Sequence, residues 1–194
     1  MSDRNLHVVI GAGGGAGSAV VRLLATQGKQ VRAVGRHPLS WLPAEVEFVA
    51  GDISHPAQAI EVCQGASVVY LCANVPYHQW AQQFPPIISG ALGGARAAGA
   101  RLIFCDNFYM YAPTTAPITE QTPLAPITRK GKVRVQLAEM LLGAHERGEV
   151  QVAIARTSDF YGPRANSIEG EPTYPAGKEY SSIICYYAIV EMQK

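Results

Sequence analysis

A glycine-rich segment near the amino terminus carries the clearest signal for ligand binding. It reads Ile10-Gly11-Ala12-Gly13-Gly14-Gly15-Ala16-Gly17 and lies between a predicted strand and a predicted helix. The free N–H groups and the positive dipole end of a helix attract phosphate at such a junction. Gly11 would permit the tight turn, Gly14 the approach of a pyrophosphate, and Gly17 close packing of helix on sheet. The segment predicts a dinucleotide site, and a flexible turn without a ligand is the alternative.

The elements that must position this loop alternate along the chain. Short apolar runs predict strands at 6–10, 31–34, 46–50, 67–72, 101–105 and 150–155, and amphipathic segments predict helices at about 14–27, 56–65, 80–98 and 129–146. Pro85 and Pro86 are expected to delay the start of the third helix. Residues 106–127 are expected to form a functional or disordered loop. This alternation predicts an α/β fold, a Rossmann-like doubly wound parallel sheet with helices on both faces.

Composition excludes several classes of protein and site. The 194 residues have a formal net charge of +1, which gives no global field for nucleic acid or an anionic membrane. No apolar run reaches the length of a membrane span, and the first residues lack an apolar signal core. The four cysteines form no Cys-x-x-Cys pair, and the five histidines lack metal-ligand spacing. We expect reduced core thiols, no metal, a cytoplasmic location and a small-molecule substrate, with neither nucleic acid nor membrane as partner.

Five segments together resemble one family. They are the Gly11, Gly14 and Gly17 pattern Gly-x-x-Gly-x-x-Gly, Val31-Arg32-Ala33-Val34-Gly35-Arg36, Gly51-Asp52-Ile53, Val69-Tyr70-Leu71-Cys72-Ala73, and Arg156-Thr157-Ser158-Asp159-Phe160-Tyr161-Gly162-Pro163. Over residues 6–164 the chain resembles the NAD-dependent epimerase/dehydratase family of extended or atypical short-chain dehydrogenases/reductases. The resemblance implies an NADP(H)- or NAD(H)-dependent oxidoreductase, epimerase or dehydratase acting on a hydroxyl, carbonyl or sugar-nucleotide substrate. A non-catalytic NAD(P)-binding redox sensor or regulatory protein is the alternative.

The cofactor prediction depends mainly on Arg36. A carboxylate at the end of the second strand would bind the ribose hydroxyls of NAD, whereas the guanidinium of Arg36 suits a 2′-phosphate. We therefore expect NADP(H), with NAD(H) as the alternative, and Arg32 is a second candidate for the phosphate. Asp52 either accepts a bond from the adenine amino group or caps the helix beginning near Pro56. The expected cofactor-binding residues are Gly11, Gly13, Gly14, Gly15, Ala16, Gly17, Arg36, Asp52, Ile53, Cys72, Ala73 and Asn74.

The catalytic positions of the family carry other residues here. The family uses a Ser or Thr and a Tyr-x-x-x-Lys pair, whose tyrosine exchanges a proton with a substrate hydroxyl. By register these positions are Asn107, Gly131 and Val135. A Tyr109 acid assisted by Lys130 or Lys132 is the replacement hypothesis; the alternatives are wall residues for the tyrosines and a solvated helix start for the lysines. The candidate catalytic residues are therefore Asn107, Tyr109, Tyr111, Lys130 and Lys132.

The end of the chain departs from the resemblance. We expect residues 1–164 to form the NAD(P)-binding domain and residues 165–194 to be a divergent or truncated segment, because the family usually continues into a longer substrate lobe. Residues 165–180 are polar with glycine and proline, which predicts a linker. Residues 181–192 are apolar and fit an added strand, a short helix or an exposed patch. Such a patch would promote association, so a homodimer is one expectation.

Overall fold

The computed structural model describes residues 5–157 and, for the backbone, residues 188–192. The elements are β1 (Leu6–Ile10), α1 (Gly15–Thr26), β2 (Gln30–Gly35), β3 (Glu47–Ala50), α2 (Pro56–Cys63), β4 (Ala66–Leu71), a 3-10 turn (Tyr77–Gln79), α3 (Trp80–Ala98), β5 (Arg101–Asn107), α4 (Arg129–Glu146), β6 (Val152–Thr157) and β7 (Ala188–Met192).

The strands form one sheet in the order β3-β2-β1-β4-β5-β6-β7. All pairs from β3 to β6 are parallel, and β7 pairs antiparallel with β6. The chain winds outward from β1 to β3 and then returns to β4 on the other side of β1. Ligands bind outside the carboxyl ends of the strands where the winding reverses. The predicted Rossmann-like α/β fold is confirmed, and its switch point lies between β1 and β4.

The core consists of one apolar layer on each face of the sheet. Side chains alternate along a strand, so Val8 and Ile10 pack into one layer while Val9 packs into the other. The larger layer includes Leu71 and Phe104 and residues of α2, α3 and α4. The smaller layer lies under α1. In the described residues, helices therefore cover one face along the sheet and the other face at β1 and β2, whereas Ile103 and Ala153 on that second face of β5 and β6 are only half-buried.

The third helix begins where its apolar pattern begins, at Trp80, and Pro85 and Pro86 lie inside it. The expected delay was wrong. Trp80 and Phe84 are fully buried and pack edge to face, and the Trp80 indole N–H donates to the carbonyl of Val75 at 2.9 Å. These contacts stabilise the first turn of α3, and the two prolines come only after that turn.

Two strands, β5 and β6, differ from the predictions by two residues, and β2, β3 and β4 differ by one. β5 continues to Asn107, two residues further than expected, and β6 covers Val152–Thr157. Asp106 and Asn107 stay in the ladder because they pair with Arg156 and Thr157 of β6. The polar end of β5 is therefore strand rather than loop.

Of the alternatives for the apolar C-terminal segment, residues 188–192 adopt the strand, with Ile189 opposite Arg156. Residues 158–187 lie outside the described residues, and with them the predicted linker and most of that segment. The division of the chain at residue 164 stays a prediction. Within the described part of the chain, no helix is long and apolar enough to cross a membrane, and no cluster of potential metal ligands occurs.

Candidate functional site

The glycine loop is fixed between the ends of β2 and β4. Gly11 has φ +80°, in the left-handed region that favours glycine. A Cβ there would lie 2.5 Å from the backbone nitrogen of Ala73. The N–H groups of Gly11 and Ala12 both donate to the carbonyl of Val34, at 3.0 and 3.2 Å. The first glycine of the motif is therefore required by the fold itself.

The third glycine is also required, and the second is not. A Cβ on Gly17 would collide with the carbonyl of Gly11, whereas a Cβ on Gly14 would meet that oxygen at an ordinary 3.6 Å. Gly14 is the N-cap of α1 and offers no side-chain acceptor, and the first turn contains no acidic residue. The leading N–H groups of α1 are thus available to an external anion. Because the fold would tolerate a side chain at Gly14, the glycine fits the approach of a pyrophosphate.

The ends of β2 and β3 form the edge at which the nucleotide is expected. Arg36 is exposed there. The carboxylate of Asp52 accepts from the hydroxyl of Ser54 at 2.7 Å and from its N–H at 3.0 Å. These hydrogen bonds lower the pKa of Asp52, and the positive charges of His55 and Arg36 lower it further. Asp52 thus stabilises the turn that leads into α2, and Ile53 is buried behind it.

Arg32 is held by neighbouring elements. Its Nε donates to Glu47 at 2.7 Å, and its Nη1 donates to the carbonyls of Val62 and Gln64 at 3.0 Å each. The guanidinium joins β2 to β3 and to the end of α2. The second candidate for a 2′-phosphate is therefore committed to structural contacts, unlike Arg36.

The end of β4 lies beside the glycine loop. The N–H of Cys72 donates to the carbonyl of Ile10 at 2.9 Å, and Ala73 contacts Gly11. Asn74 is exposed, and its side-chain oxygen accepts from the N–H of Val75 at 3.0 Å. The fold thus brings the three expected residues after β4 to the mouth of the loop.

Three of the candidate catalytic residues meet beyond the end of β5. Asn107 accepts the N–H of Tyr109 on its side-chain oxygen at 3.1 Å and so fixes the turn. The hydroxyl of Tyr109 lies 3.2 Å from the hydroxyl of Tyr77. The ammonium of Lys130 lies 3.7 Å from the centroid of the Tyr77 ring. Tyr109, Thr128, Arg129 and Lys130 line an open pocket of about 390 Å³.

Tyr77 is a residue that sequence reasoning missed. It lies in the 3-10 turn that follows β4, and its ring packs against Trp80 with centroids 4.9 Å apart. The signal was available, because ligand sites form beyond the carboxyl ends of parallel strands and Tyr77 follows such an end. No sequence pattern predicts the hydrogen bond between its hydroxyl and that of Tyr109, which lies 32 residues away.

Tyr111 and Lys132 are directed elsewhere. Tyr111 is buried, and its hydroxyl accepts from Nη1 of Arg156 at 3.0 Å. Lys132 is exposed and lies two positions after Lys130, so it does not share the helix face of Lys130. These two candidates are separate from the Tyr77–Tyr109 pair.

A buried charged group lies beneath the pair. Nη1 of Arg134 is 3.2 Å from Oδ1 of Asp106, and Nε of Arg156 is 3.5 Å from Oδ2. The side chains of all three residues are at most 5% exposed. Burial raises the pKa of Asp106, and the two guanidinium groups oppose that rise. The group joins β5, α4 and β6 at the carboxyl end of the sheet.

Comparison with known families decides the relationship. The model of the NAD dependent epimerase/dehydratase family matches residues 7–178. The chain belongs to this family. A search of curated proteins found no match.

Solved structures with the same fold include sugar-nucleotide enzymes. UDP-glucose 4-epimerase from Brucella ovis in complex with NAD has a TM-score of 0.71 at 22% identity, over 87% of this chain and 55% of that one. MoeE5 in complex with UDP-glucose and NAD has a TM-score of 0.67 at 22% identity, over 83% and 56%. Glucuronic acid dehydrogenase from Chromohalobacter salexigens has a TM-score of 0.66 at 21% identity, over 76% and 58%. The chain thus spans little more than half the length of these structures.

The position that the sequence register predicts for the family's tyrosine has no room for a side chain. By register it is Gly131, and a Cβ there would meet the carbonyl of Tyr109 and lie 2.9 Å from the Cβ of Pro126. Thr128 caps α4, and its hydroxyl accepts from the N–H of Gly131 at 3.0 Å. The turn that carries Tyr109 therefore fills the space that a side chain at Gly131 would need.

Proposed function

We propose that this chain binds NADP(H) in the glycine loop and supports hydride transfer to or from a hydroxyl or carbonyl substrate, with Tyr109 as proton donor and acceptor. The observation that carries the proposal is the hydroxyl pair of Tyr109 and Tyr77, 3.2 Å apart, at the carboxyl end of the sheet. Sugar nucleotides are the first substrates to test, because MoeE5, a protein of the same fold, was solved with UDP-glucose and with UDP-glucuronic acid.

The residues around the loop fit such a cofactor. The free N–H groups at the start of α1 would hold the pyrophosphate, and Arg36 would hold a 2′-phosphate. Asp52 and Ile53 would border the adenine, and residues 72–74 would border the nicotinamide ribose. A bound nicotinamide supplies a hydride donor or acceptor. NAD(H) is the alternative cofactor, as named for the neighbouring structures.

The proton accompanies the hydride at Tyr109. When a substrate alcohol is oxidised, its C–H bond gives the hydride and its O–H bond gives a proton to the phenolate oxygen of Tyr109. In the reverse direction, the phenol returns that proton to the carbonyl oxygen. The hydroxyl of Tyr77 can donate to the phenolate, and Lys130 places a positive charge over the Tyr77 ring. Asn107 holds the turn by its side-chain oxygen, and its amide nitrogen is a suitable donor to a substrate oxygen.

Cofactor binding is tested by titrating the full chain with NADPH and NADH and following nicotinamide fluorescence. Saturable binding is expected, tighter for NADPH. Gly14→Ala should weaken binding about tenfold or more without lowering the melting temperature, because its Cβ has room in the fold and crowds the phosphate. Gly93→Ala is the matched control, since its Cβ meets no atom within 4 Å. Absence of binding in a folded protein would remove the proposal.

The choice between the cofactors is tested at Arg36. Arg36→Gln should lower the affinity for NADPH about tenfold and leave that for NADH unchanged, because NADH lacks the 2′-phosphate. Arg101→Gln, at the exposed start of β5, is the control. Tighter binding of NADH than NADPH by the unmodified chain would contradict the NADP(H) assignment.

Turnover is tested with hydroxyl, carbonyl and UDP-sugar substrates. Tyr109→Phe should lower kcat about a hundredfold, the usual scale for loss of a general acid or base. Tyr70→Phe is the control, because its hydroxyl bonds His7 at the opposite end of the strands. Unchanged turnover in Tyr109→Phe would exclude Tyr109 as the proton donor.

The second candidate is a non-catalytic NAD(P)-binding protein. The lack of space at Gly131 supports it, because a phenol at this register position would collide with the Tyr109 turn. Saturable NADPH binding without turnover of any substrate in the panel would support this candidate.

A cytoplasmic location and a homodimer stay predictions of the sequence.

A further inference from the structure

Two cysteines lie side by side at the carboxyl end of the sheet. In the parallel pair of β4 and β5, Leu71 is opposite Phe104. The N–H of Cys72 donates to the carbonyl of Ile10 at 2.9 Å and so continues the ladder between β4 and β1 by one residue. Cys72 and Cys105, the next residue on each strand, are therefore neighbours across the sheet.

Both thiols lie on the same face of the sheet. Leu71 and Phe104 belong to the apolar layer under α2, α3 and α4. Successive side chains of a strand alternate between the faces, so Cys72 and Cys105 face the other layer, and Cys72 packs against it. The two thiols are hydrogen-bonded to each other, and both are free cysteines. The fold thus forms a pair of adjacent thiols from residues 33 positions apart in the sequence.

The pair differs from Cys63 in its exposure. Cys72 and Cys105 are half-buried, whereas Cys63 is fully buried within the larger apolar layer. Ile103 and Ala153, on the same face as the pair, are half-buried too. A small solute can therefore reach the pair, and Cys63 serves as an internal example of a thiol that it cannot reach.

The spacing of the strands suits a disulfide between the two residues. Neighbouring strands lie about 4.8 Å apart, and disulfides form at Cα separations of about 4.4–6.8 Å. The Cβ atoms of a disulfide are only about 3.8 Å apart. Forming the bond would therefore draw Cys72 toward β5. Since β5 and β1 lie on opposite sides of β4, this movement is away from the glycine loop.

The backbone after β4 is packed tightly against the glycine loop. A Cβ on Gly11 would lie 2.5 Å from the nitrogen of Ala73 and 2.8 Å from the carbonyl carbon of Cys72. Gly11 begins the turn that leads to the free N–H groups of α1. A displacement of Cys72 therefore changes the support of the loop that is proposed to hold the pyrophosphate.

We propose that Cys72 and Cys105 form a redox-active dithiol, which a hydroperoxide oxidises to a disulfide that weakens NADP(H) binding in the glycine loop. The formation of the disulfide is independent of the proposed function. Its effect on the cofactor rests on that function.

The reaction with hydrogen peroxide proceeds in two steps. The hydrogen bond to Cys72 and burial raise the pKa of Cys105, so Cys105 keeps its proton and Cys72 attacks. The Cys72 sulfur bonds to one peroxide oxygen, the O–O bond breaks, and the other oxygen leaves as water with the Cys72 thiol proton. The sulfur of Cys105 then attacks that of Cys72. The S–S bond forms, the S–O bond breaks, and the second water carries away the Cys105 proton. The thiols lose two electrons and the peroxide gains them.

The experiment uses the full chain with Cys63→Ala and Cys185→Ser, which retains only these two of the four cysteines. The reduced protein is treated with a small excess of hydrogen peroxide. Free thiols are counted, tryptic peptides are mapped by mass spectrometry, and NADPH affinity is measured by nicotinamide fluorescence before oxidation, after it and after dithiothreitol. The parent chain is treated in parallel, so that any effect of the background substitutions on folding is seen. Cys105→Ser in the same background is the matched variant.

Oxidation should remove both thiols, join the peptides of Cys72 and Cys105 within one molecule, and lower NADPH affinity about tenfold. Dithiothreitol should restore the affinity of the reduced protein. Cys105→Ser should bind NADPH normally when reduced and should form no disulfide on oxidation. Its Cys72 should instead stop at the sulfenic acid, which dimedone captures.

Three results would overturn the inference. They are two free thiols after oxidation, a disulfide that links two molecules instead of joining the pair within one, and an intramolecular disulfide that leaves NADPH affinity unchanged. The proposed function fails separately. If the reduced chain binds no NADPH, that function fails together with the effect on the cofactor, while peptide mapping still decides whether the dithiol forms a disulfide. If the reduced chain binds NADPH and no disulfide forms, the dithiol fails and the proposed function stands.

Discussion

The backbone carbonyl of Tyr109 occupies the space that a side chain on Gly131 would need. Gly131 lies in the first turn of α4, and Tyr109 lies in the turn after β5. The tyrosine that the sequence analysis proposed as the acid is therefore carried by the turn that excludes a side chain at Gly131. The missing tyrosine and the displaced tyrosine are two aspects of one packing arrangement.

Gly131→Ala should destabilise the fold by about 2–3 kcal/mol, although alanine favours a helix over glycine. The added Cβ can be accommodated only if the Tyr109 turn or the start of α4 moves. Urea unfolding measures the loss. Gly143→Ala in the same helix is the control, because its Cβ meets only the flexible end of Arg147 at 3.1 Å. Equal effects of the two substitutions would contradict the packing argument.

The Asp106–Arg134 ion pair should show a large coupling energy. Asp106→Asn alone should cost about 3 kcal/mol because it leaves Arg134 buried with a weaker partner. The double variant, Asp106→Asn with Arg134→Met, should lose less free energy of unfolding than the two single variants together. The expected difference is about 1–3 kcal/mol. A double-mutant cycle by denaturant unfolding measures the difference. Strictly additive costs would show that the two groups do not interact.

Cys63 should make the protein less stable in alkali. Burial raises the pKa of Cys63 to about 11 from 9.0, against the opposing charge of Arg32. Between these pH values the unfolded chain releases the thiol proton and the folded chain keeps it, so the free energy of unfolding falls as pH rises. The expected fall is about 3 kcal/mol. Unfolding of the parent and Cys63→Ala should diverge in slope above pH 9.0; parallel curves would exclude this role of the thiol.

Arg32→Met should separate structure from cofactor choice. Loss of the three hydrogen bonds to Glu47, Val62 and Gln64 should lower stability by about 2 kcal/mol. The ratio of NADPH to NADH affinity should stay unchanged, in contrast to Arg36→Gln. Thermal unfolding and nicotinamide fluorescence measure the two effects. A changed cofactor ratio would assign Arg32 to the phosphate site.

Much of the framework could be predicted because it depends on local pattern. The helix predicted at 129–146 is α4 as observed, since its cap at Thr128 and its apolar spacing lie in adjacent residues. The glycine loop follows the same logic, because Gly11 and Gly17 satisfy steric demands within one turn of chain. The extension of β5 to Asn107 could not be predicted, because its polar end is held by pairing with β6.

The sequence by itself determined the doubly wound sheet, the place of the glycine loop, and that Gly131 and Val135 stand at the register positions of the family's tyrosine and lysine. Only the tertiary structure decided which of the remaining side chains meet. Tyr77 and Tyr109 lie 32 residues apart, and Asp106 and Arg134 lie 28 apart. The spacing of apolar residues indicates which face of a helix or strand is buried. It does not indicate which side chains, distant in the sequence, contact each other in the core. Packing of α3 and α4 over the sheet brings them together.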